Sequence, residues 1–509
     1  MTIKRRDFLS HIAAGSSILT LPTFLVGCGI NQAVNQSEAL PDDPFGDWFG
    51  IDEAVVSQVM AELTANGADA ADLYFQHSRS NALRLEDAIV TRNTSAVLQG
   101  VGLRVVSGDQ TGYAFTEDLT LSSMLAAARI ASAAASGNMA MPPQAFNPMK
   151  SGDLYALTVP WTEVGLNEKL AVLESADRIA RSADQSVGAV TVNWTDVDDR
   201  ILIATLQGDV VRDRRPMTRL SVQVTAKRDG DSQSGFSSIA ARDGLSWYSR
   251  ERIESVVGEA VDRTLILFES RRSPAGELPV VLASGTSGVL LHEAIGHGME
   301  ADFNRNGTSQ YANLMGSSIA DGQVTIADQG TMPNERGALN YDDEGTTCGR
   351  TVLVENGVLR SYLHDSVSAG QYKTRSTGSG RRESYQFAPM PRMTCTFMEN
   401  GPHTRDEVIA AVDHGVLAET YTDASVRIGE GDYNFYVKNG WLIEKGKVTA
   451  PLRDFSISGN GVETLKRITM VADDGRMDAG GWTCGKNGQS VPVSQGMPTV
   501  LVSGINVTG

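Results

Sequence analysis

The segment His292-Glu293-Ala294-Ile295-Gly296-His297 places two histidines five residues apart, directly after an apolar run. An α-helix has about 3.6 residues per turn, so five positions rotate the second side chain by about 140° from the first. A regular helix therefore cannot direct both imidazoles at one ion. A π-bulge takes up one extra residue and restores a common face. We predict a helix over residues 289–300 that is deformed near His297, with Gly296 and Gly298 easing the deformation.

The chemistry of this segment favours a zinc site. Neutral imidazole is a preferred zinc ligand, and catalytic zinc sites use three protein ligands and leave one position open for water. The carboxylate of Glu293 is suited to act as the general base that takes a proton from that water. On spacing alone one alternative stays open, in which His292 and His297 are exposed near a helix end and Glu293 lies on a solvated face.

The length of the chain and a change in its predicted secondary-structure pattern indicate more than one domain. At 509 residues it exceeds the size at which a single hydrophobic core stops growing. Helical and strand-like patterns alternate over residues 49–272, which indicates an N-terminal α/β or α+β region. From about residue 273 to residue 509, Asn-Gly and Lys-Gly turns separate short β-prone runs, at residues 355–357, 399–401, 438–440 and 445–446. Because Asn-Gly favours hairpins, we predict an α+β protein: an N-terminal α/β region, then a mostly antiparallel β-rich domain that carries the metal-binding helix.

The first 27 residues have the composition of an export signal. A basic start that contains Arg5 and Arg6 precedes a short apolar stretch, and Leu25-Val26-Gly27-Cys28 follows. This order resembles a twin-arginine signal with a lipobox. It predicts a lipid on Cys28, a polar tether over residues 28–48, and a location in the cell envelope or periplasm, anchored to a membrane only through that lipid. The alternative is an ordinary N-terminal helix with a chance arginine pair.

Charge and cysteine content limit the possible partners. The formal net charge is −17, which argues against nucleic acid, because phosphate binding depends on lysine and arginine. Beyond Cys28 the chain has Cys348, Cys395 and Cys484, an odd number that cannot form a complete set of disulfides. Either one pair forms and one cysteine is free, or the three are independent. A metal ion would account for one of them.

Residues 290–302 (LLHEAIGHGMEAD) closely resemble the signature of the TldD/PmbA family of metallopeptidases. Further segments resemble the family in the same order, over roughly residues 70–502: residues 342–346 (DDEGT), 380–385 (GRRESY), 391–394 (PRMT), 459–461 (GNG) and 484–493 (CGKNGQSVPV). The resemblance implies one zinc ion per chain, bound by His292, His297 and Cys484, with Glu293 as the base. It assigns no role to Cys348 or Cys395.

The same resemblance implies a peptidase that cleaves unfolded or flexible peptides. It also implies a homodimer, or a heterodimer with a family paralogue that lacks the metal motif. The substrate-binding residues remain unassigned, since Asp343 and Glu344 fit a solvated loop equally well, and Arg381, Arg382 and Arg392 fit surface or ion-pair roles better than carboxylate binding. The rival interpretation is a lipid-anchored, non-catalytic peptide-binding or assembly factor with the same fold.

Overall fold

A computed structural model describes residues 40–134, 144–150, 152–155 and 157–509. The signal segment (residues 1–27), Cys28 and the first part of the tether lie outside these described residues. The span Leu40–Gly509 forms one compact unit. Within the described residues, no helix combines the length and the apolar character that are needed to cross a bilayer.

The N-terminal half is built on one long sheet. Its strands are β1 (Ala70–Glu86), β2 (Ile89–Ser107), β3 (Gln110–Thr116), β4 (Asn147–Pro148), β5 (Val187–Thr205), β6 (Asp209–Arg228) and β7 (Asp231–Ala241). They run in the order β3-β2-β1-β5-β6, and β4 and β7 both pair with β6. Every pairing is antiparallel except that of the two-residue β4 with β6. The region is thus α+β and not α/β, because tight turns join most successive strands, whereas parallel strands need long crossovers.

Helices cover one face of this sheet. They are α1 (Pro44–Phe49), α2 (Glu53–Leu63), α3 (Leu121–Ala134), α4 (Leu166–Ala183) and α5 (Arg250–Leu265). On β1, Leu73 and Phe75 join the core with α2 and α3, and Leu83 and Leu85 join the core with α4 and α5. These four residues share one face, since side chains alternate along a strand. The opposite face carries Tyr74 and packs against the C-terminal half.

The predicted tether is too long at its C-terminal end. Phe45 is 2% exposed, and its ring lies 5.7 Å from the ring of Phe75. Leu40 is also buried, so the folded body begins before residue 49. The prolines and aspartates of this stretch suggested a solvated linker, but Asp43 instead caps α1 by accepting a hydrogen bond from the Gly46 amide.

The C-terminal half combines a closed ring of strands with a second sheet. Its strands are β8 (Arg271–Arg272), β9 (Gly276–Leu282), β10 (Ile326–Gln329), β11 (Arg350–Glu355), β12 (Val358–Leu359), β13 (Gly380–Arg381), β14 (Met390–Pro391), β15 (Cys395–Met398), β16 (His414–Arg427), β17 (Asp432–Glu444), β18 (Lys447–Asn460), β19 (Ile468–Val471), β20 (Arg476–Met477), β21 (Thr483–Lys486), β22 (Gln489–Pro492), β23 (Ser494–Met497) and β24 (Val500–Thr508). Its α-helices are α6 (Gly288–Leu290), α7 (Ala301–Arg305), α8 (Ser366–Tyr372), α9 (Arg405–Ala410) and α10 (Gly461–Lys466).

The ring consists of β9, β16, β17, β18 and β24, and the pairing of β18 with β24 closes it. The second sheet has the order β12-β11-β10-β15-β23-β20. Most pairings in this half are antiparallel, and β9–β16, β15–β23 and β8–β18 are parallel. The apolar residues of segment 288–299 join a core formed with side chains from both sheets. The segment that holds the two histidines is therefore fixed between the ring and the second sheet.

Two of the four predicted turns connect hairpins. Asn356-Gly357 joins β11 to β12, and Lys445-Gly446 joins β17 to β18. The prediction is wrong for Asn439-Gly440, which lies inside β17. A Cβ on Gly440 would lie 2.6 Å from the carbonyl oxygen of Leu417, so close approach of a neighbouring strand explains this glycine. Asn400-Gly401 follows β15 and leads towards α9 without forming a hairpin.

A buried ion network, which we call the junction network, joins the two halves. It comprises Asp72, Arg104, Arg215, Asp343, Glu344 and Arg382. Arg104 contacts Asp72 and Glu344 at 2.5 Å each, and Arg382 contacts Asp72 at 2.8 Å. Arg215 pairs with Asp343. The solvated-loop alternative for Asp343 and Glu344 is therefore wrong: both carboxylates are buried against arginines that lie far away in the sequence.

Candidate metal centre

The helix that contains the histidines is deformed as the spacing predicts. After α6, residues Leu291–Gly296 form a π-helix, and His297–Met299 form a 3₁₀ turn. The wider π turn brings His292 and His297 to the same side, with ring centroids 5.0 Å apart. Both histidines are 2% exposed, so the alternative with two exposed histidines is wrong.

The structure gives a different reason for the glycines at positions 296 and 298 from the one that the sequence predicts. Gly296 has ordinary helical backbone angles, φ −60° and ψ −47°. A Cβ at this position would lie 2.1 Å from the sulfur of Met393, and a Cβ on Gly298 would lie 2.6 Å from the ring of Tyr311. The glycines are thus explained by side chains packed onto the helix, and they are not needed to ease its deformation.

A hairpin from the far end of the chain brings Cys484 to the histidines. Cys484 lies on β21, which pairs with β22. Its sulfur is 3.4 Å from Nε2 of His297, and the potential ligand atoms of His292, His297 and Cys484 all lie within 4.8 Å of one another. Arg392 is fully buried and donates a 2.6 Å hydrogen bond to the carbonyl oxygen of Cys484, which fixes the strand. Arg392 is therefore not a surface residue, and it forms no ion pair with any described residue.

The state of His292 tests whether this cluster suits a metal ion. Neither ring nitrogen of His292 has a hydrogen-bond partner within the part of the chain that the structure describes, although both are buried. A buried polar atom without a partner is costly, and such atoms require an explanation. Two imidazoles and a thiolate around one point are a donor set that zinc prefers. The residues present therefore fit a zinc ion.

A series of charged side chains contacts His297 on the side away from Cys484. His297 Nδ1 lies 3.0 Å from Glu300, and Glu300 lies 3.0 Å from Lys486. Lys486 also contacts Asp302 at 2.8 Å. A carboxylate on Nδ1 orients the ring and leaves Nε2 facing Cys484, which is the usual arrangement behind a metal-ligating histidine. The sequence analysis missed Glu300 and Lys486, although each lies close in sequence to a predicted ligand.

Three consecutive stretches match domain families of known proteins. They are described as PmbA/TldA metallopeptidase domain 1, central domain and C-terminal domain, and they match residues 71–135, 159–268 and 275–509. A metalloprotease TldD homologue of Haemophilus influenzae is 38% identical over 449 residues, which cover 87% of this chain and 93% of that protein. The chain belongs to the PmbA/TldD family.

Two further known proteins are similar to this chain. A zinc metalloprotease TldD homologue of Saccharolobus solfataricus is 32% identical over 291 residues, covering 57% of this chain and 64% of that protein. The crystal structure of TldE from Thermococcus kodakarensis matches this chain with a TM-score of 0.70 at 18% identity. The match covers 89% of this chain and 100% of the TldE chain. At this identity the structural likeness establishes the fold, a mixed α+β architecture with more strand than helix.

The electrostatics of this PmbA/TldD family member favour a thiolate at the cluster. Burial alone would raise the pKa of the Cys484 thiol, but His292 and His297 outweigh it and hold that pKa well below its usual range. Burial would likewise raise the pKa of Glu300, but Lys486 and then His297 lower it to about 2. Cys484 is therefore prepared to act as a ligand, since the thiolate is the form that binds metal.

The sequence analysis also singled out Glu293 and two further cysteines, Cys348 and Cys395. Glu293 follows His292 directly on the π-helix and is half-buried. Cys348 and Cys395 are buried, unpaired thiols, and burial raises the pKa of each well above its usual range. Among the described residues the three cysteines are therefore independent, and Cys484 alone adjoins the histidines.

Proposed function

We propose that this protein is a zinc-dependent peptidase that hydrolyses peptide bonds in unfolded or flexible peptides. His292, His297 and Cys484 bind one zinc ion, and Glu293 is the general base. The observation that carries the proposal is the convergence of three buried ligand atoms, with both nitrogens of His292 lacking a hydrogen-bond partner among the described residues. Membership of a family whose relatives are named metalloproteases supports it.

Each side chain at the centre has a separate task. A bound zinc ion supplies Lewis acidity, which makes water acidic enough to lose a proton near neutral pH. Glu293 accepts the proton from the attacking water and passes it to the leaving amine. Glu300 holds the ring of His297, and Arg392 holds the backbone of Cys484, so that the ligands keep their positions while peptides bind and leave.

The test is elemental analysis of the purified protein together with cleavage of an unstructured peptide, with and without a chelator. We expect about one zinc per chain and cleavage that stops with chelator and returns with added zinc. Cys484→Ser should lose most of the zinc, whereas the matched Cys395→Ser, which changes a buried thiol away from the histidines, should keep it. Absence of zinc from the wild-type protein would refute the proposal.

The same experiment separates the peptidase from the non-catalytic alternative. A peptide-binding or assembly factor of this fold would bind the unstructured peptide and leave it intact, even when one zinc ion is present per chain. The presence of Glu293 beside the ligands favours the peptidase, because a carboxylate at that position is needed for proton transfer and not for metal binding.

We also propose that the protein is exported through its twin-arginine segment and held at a membrane of the cell envelope by a lipid on Cys28, as a homodimer or a heterodimer with a metal-free paralogue. The order of Arg5, Arg6, the apolar stretch and Cys28 supports the first point. Mass spectrometry of the mature N-terminus should find a lipidated Cys28, and Cys28→Ala should release the protein from the membrane fraction. Light scattering of the purified protein measures its oligomeric state.

A further inference from the structure

A cavity of about 260 Å³ lies between the two halves of the molecule. Five arginines line it, together with Asp199 and Glu383: Arg215, Arg242, Arg336, Arg381 and Arg382. Thr483 and Ser490, which are exposed, also line it and connect it with solvent. A wall this rich in guanidinium groups is unusual for a cavity, because a buried charge is costly unless it is paired.

The cavity is separate from the metal centre. It is lined by Thr483, Ser490 and Pro492 from the hairpin of β21 and β22, of which β21 carries Cys484. Thr483 pairs with Pro492 across the hairpin, and Cys484 pairs with the buried Val491. Because side chains alternate along a strand, Thr483 and Cys484 point to opposite faces. The cavity therefore lies against the back of the hairpin whose front holds the metal ligand.

Two of the five arginines are already neutralised. Arg215 forms ion pairs with Asp213 and Asp343, and Arg382 pairs with Asp72. These contacts belong to the junction network and its immediate surroundings. The positive character of the cavity comes from the other three guanidinium groups.

Arg242, Arg336 and Arg381 form no ion pair within the described part of the chain. Arg242 donates to the carbonyl oxygens of Arg336 and Pro216. Arg336 donates to the carbonyl of Trp482 and the hydroxyl of Thr483. Arg381 donates to the carbonyls of Met393 and Pro492, and its Nε has no partner among the described residues although it is buried.

The acidic residues of the wall offset these charges only in part, through the attraction between Asp199 and Arg242. Asp199 is half-buried and Glu383 is exposed, and neither forms an ion pair with the three arginines in the described structure. Burial, and then the neighbouring Arg219, Arg242 and Arg381, lower the pKa of Arg336 to about 10. Burial, which Asp343 offsets only in part, lowers the pKa of Arg381 to about 10. The three guanidinium groups thus form no ion pair within the described structure, although Asp199 and Asp213 attract Arg242 and Asp343 attracts Arg381.

We propose that this cavity binds a small oxyanion, a carboxylate or phosphate group, through Arg242, Arg336 and Arg381. Planar guanidinium groups match both anions by paired hydrogen bonds. Pockets for larger organic ligands span roughly 300 to 1,000 Å³, so this one suits a single anionic group and not several peptide residues. Arg336 and Arg381 also hold the strands next to Cys484, so a bound anion stabilises the back of the metal-binding hairpin.

Calorimetric titration of the full-length, zinc-loaded protein tests this site without measuring cleavage. The probes are inorganic phosphate, N-acetylglycine and its uncharged amide, in a chloride buffer. We expect one anion per chain, no binding of the amide, and affinity about tenfold or more weaker in Arg336→Gln. The matched control is Arg453→Gln, because Arg453 also donates to a carbonyl, that of Leu267, away from the cavity, and it should bind like the wild type.

A second variant guards against a folding defect in Arg336→Gln. Ser490→Glu adds a carboxylate to the exposed part of the cavity wall and removes no buried contact, so it should weaken anion binding by a similar factor. Binding of phosphate alone assigns the cavity to a free anion, and binding of N-acetylglycine assigns it to a peptide chain end. The proposal fails if neither anion binds, or if both variants bind as the wild type does, which would place the anion at the metal ion.

Discussion

The junction network and the metal centre are both buried and polar, but their groups are satisfied in different ways. In the junction network each charge meets an opposite charge, as Arg104 does between Asp72 and Glu344. At the metal centre His292 has no protein partner for either nitrogen among the described residues. Ion pairs between buried charges hold the two halves together, whereas a buried imidazole with neither nitrogen satisfied requires an explanation, which a bound ion would supply. The two regions should therefore respond differently to substitution.

The largest effect is expected from Glu293→Gln. Glutamine keeps the size of the side chain but cannot accept a proton, so the rate of peptide cleavage should fall by about 10²- to 10⁴-fold. Zinc content and melting temperature should not change, since Glu293 is not one of the three ligands. Elemental analysis, thermal unfolding and a cleavage assay check these points, with Glu430→Gln on the surface as the control. Cleavage at the wild-type rate would refute the general-base role.

Substitutions that break the junction network should lower the free energy of unfolding and leave the zinc content unchanged. Asp343→Ala leaves Arg215 with Asp213 as its one ion-pair partner among the described residues, and loss of one partner from a buried pair costs about 3 to 5 kcal/mol. Glu430→Ala removes half of the exposed pair with Arg427 and should cost about 0 to 1 kcal/mol. Denaturant unfolding measures both. Equal losses in the two variants would mean that burial of the network contributes nothing.

Removal of the carboxylate that orients His297 should have an intermediate effect, a loss of zinc affinity. Glu300→Gln weakens the contact that orients the ring, and changes behind a metal ligand typically lower metal affinity by about 10- to 100-fold. Asp302→Asn is the matched control, because Asp302 contacts Lys486 but forms no hydrogen bond with His297. Competition with a zinc chelator measures both affinities. If the two variants lose affinity equally, the contact of Glu300 with His297 has no special role.

The smallest effect at neutral pH is expected from protonation of Asp72 in the junction network, which changes the free energy of unfolding only in acid. Burial would raise the pKa of Asp72, but Arg104 and Arg382 outweigh it and lower this pKa. A carboxyl whose pKa is lower in the folded than in the unfolded state stabilises the fold fully above the unfolded value, about 3.9. That contribution is lost as the pH falls through the lower, folded value. The free energy of unfolding should therefore decline in acid, and Asp72→Asn should flatten the decline; an unchanged pH dependence in this variant would contradict the assignment.

The sequence predicted the local part of the metal centre but not its surroundings. The spacing of His292 and His297 was sufficient to predict a deformed helix, because the geometry of a helix turn is known. Cys484 lies 187 positions from His297, and no spacing rule connects residues that far apart. Its assignment as a ligand depended on the family resemblance. Glu300 was overlooked because a glutamate near a helix end is ordinarily solvated.

The junction network was not predictable from one sequence. Arg104 and Glu344 are 240 positions apart, and Asp72 and Arg382 are 310 apart. A run such as Asp342-Asp343-Glu344 has the composition of an exposed loop, and only the folded chain shows that arginines of the other half bury it. The same limit affects Phe45, whose polar neighbours concealed its place in the N-terminal core.

The sequence distance between the proposed ligands also has a consequence for synthesis. Translation delivers His292 and His297 to the ribosome exit long before Cys484, and β24, whose pairing with β18 closes the ring, follows last. A chain that ends before Cys484 therefore cannot complete the proposed three-ligand set. If the ligand set is what the enzyme needs to cut peptides, a nascent or truncated copy is inert, and the protease becomes active only once almost its entire length has been made.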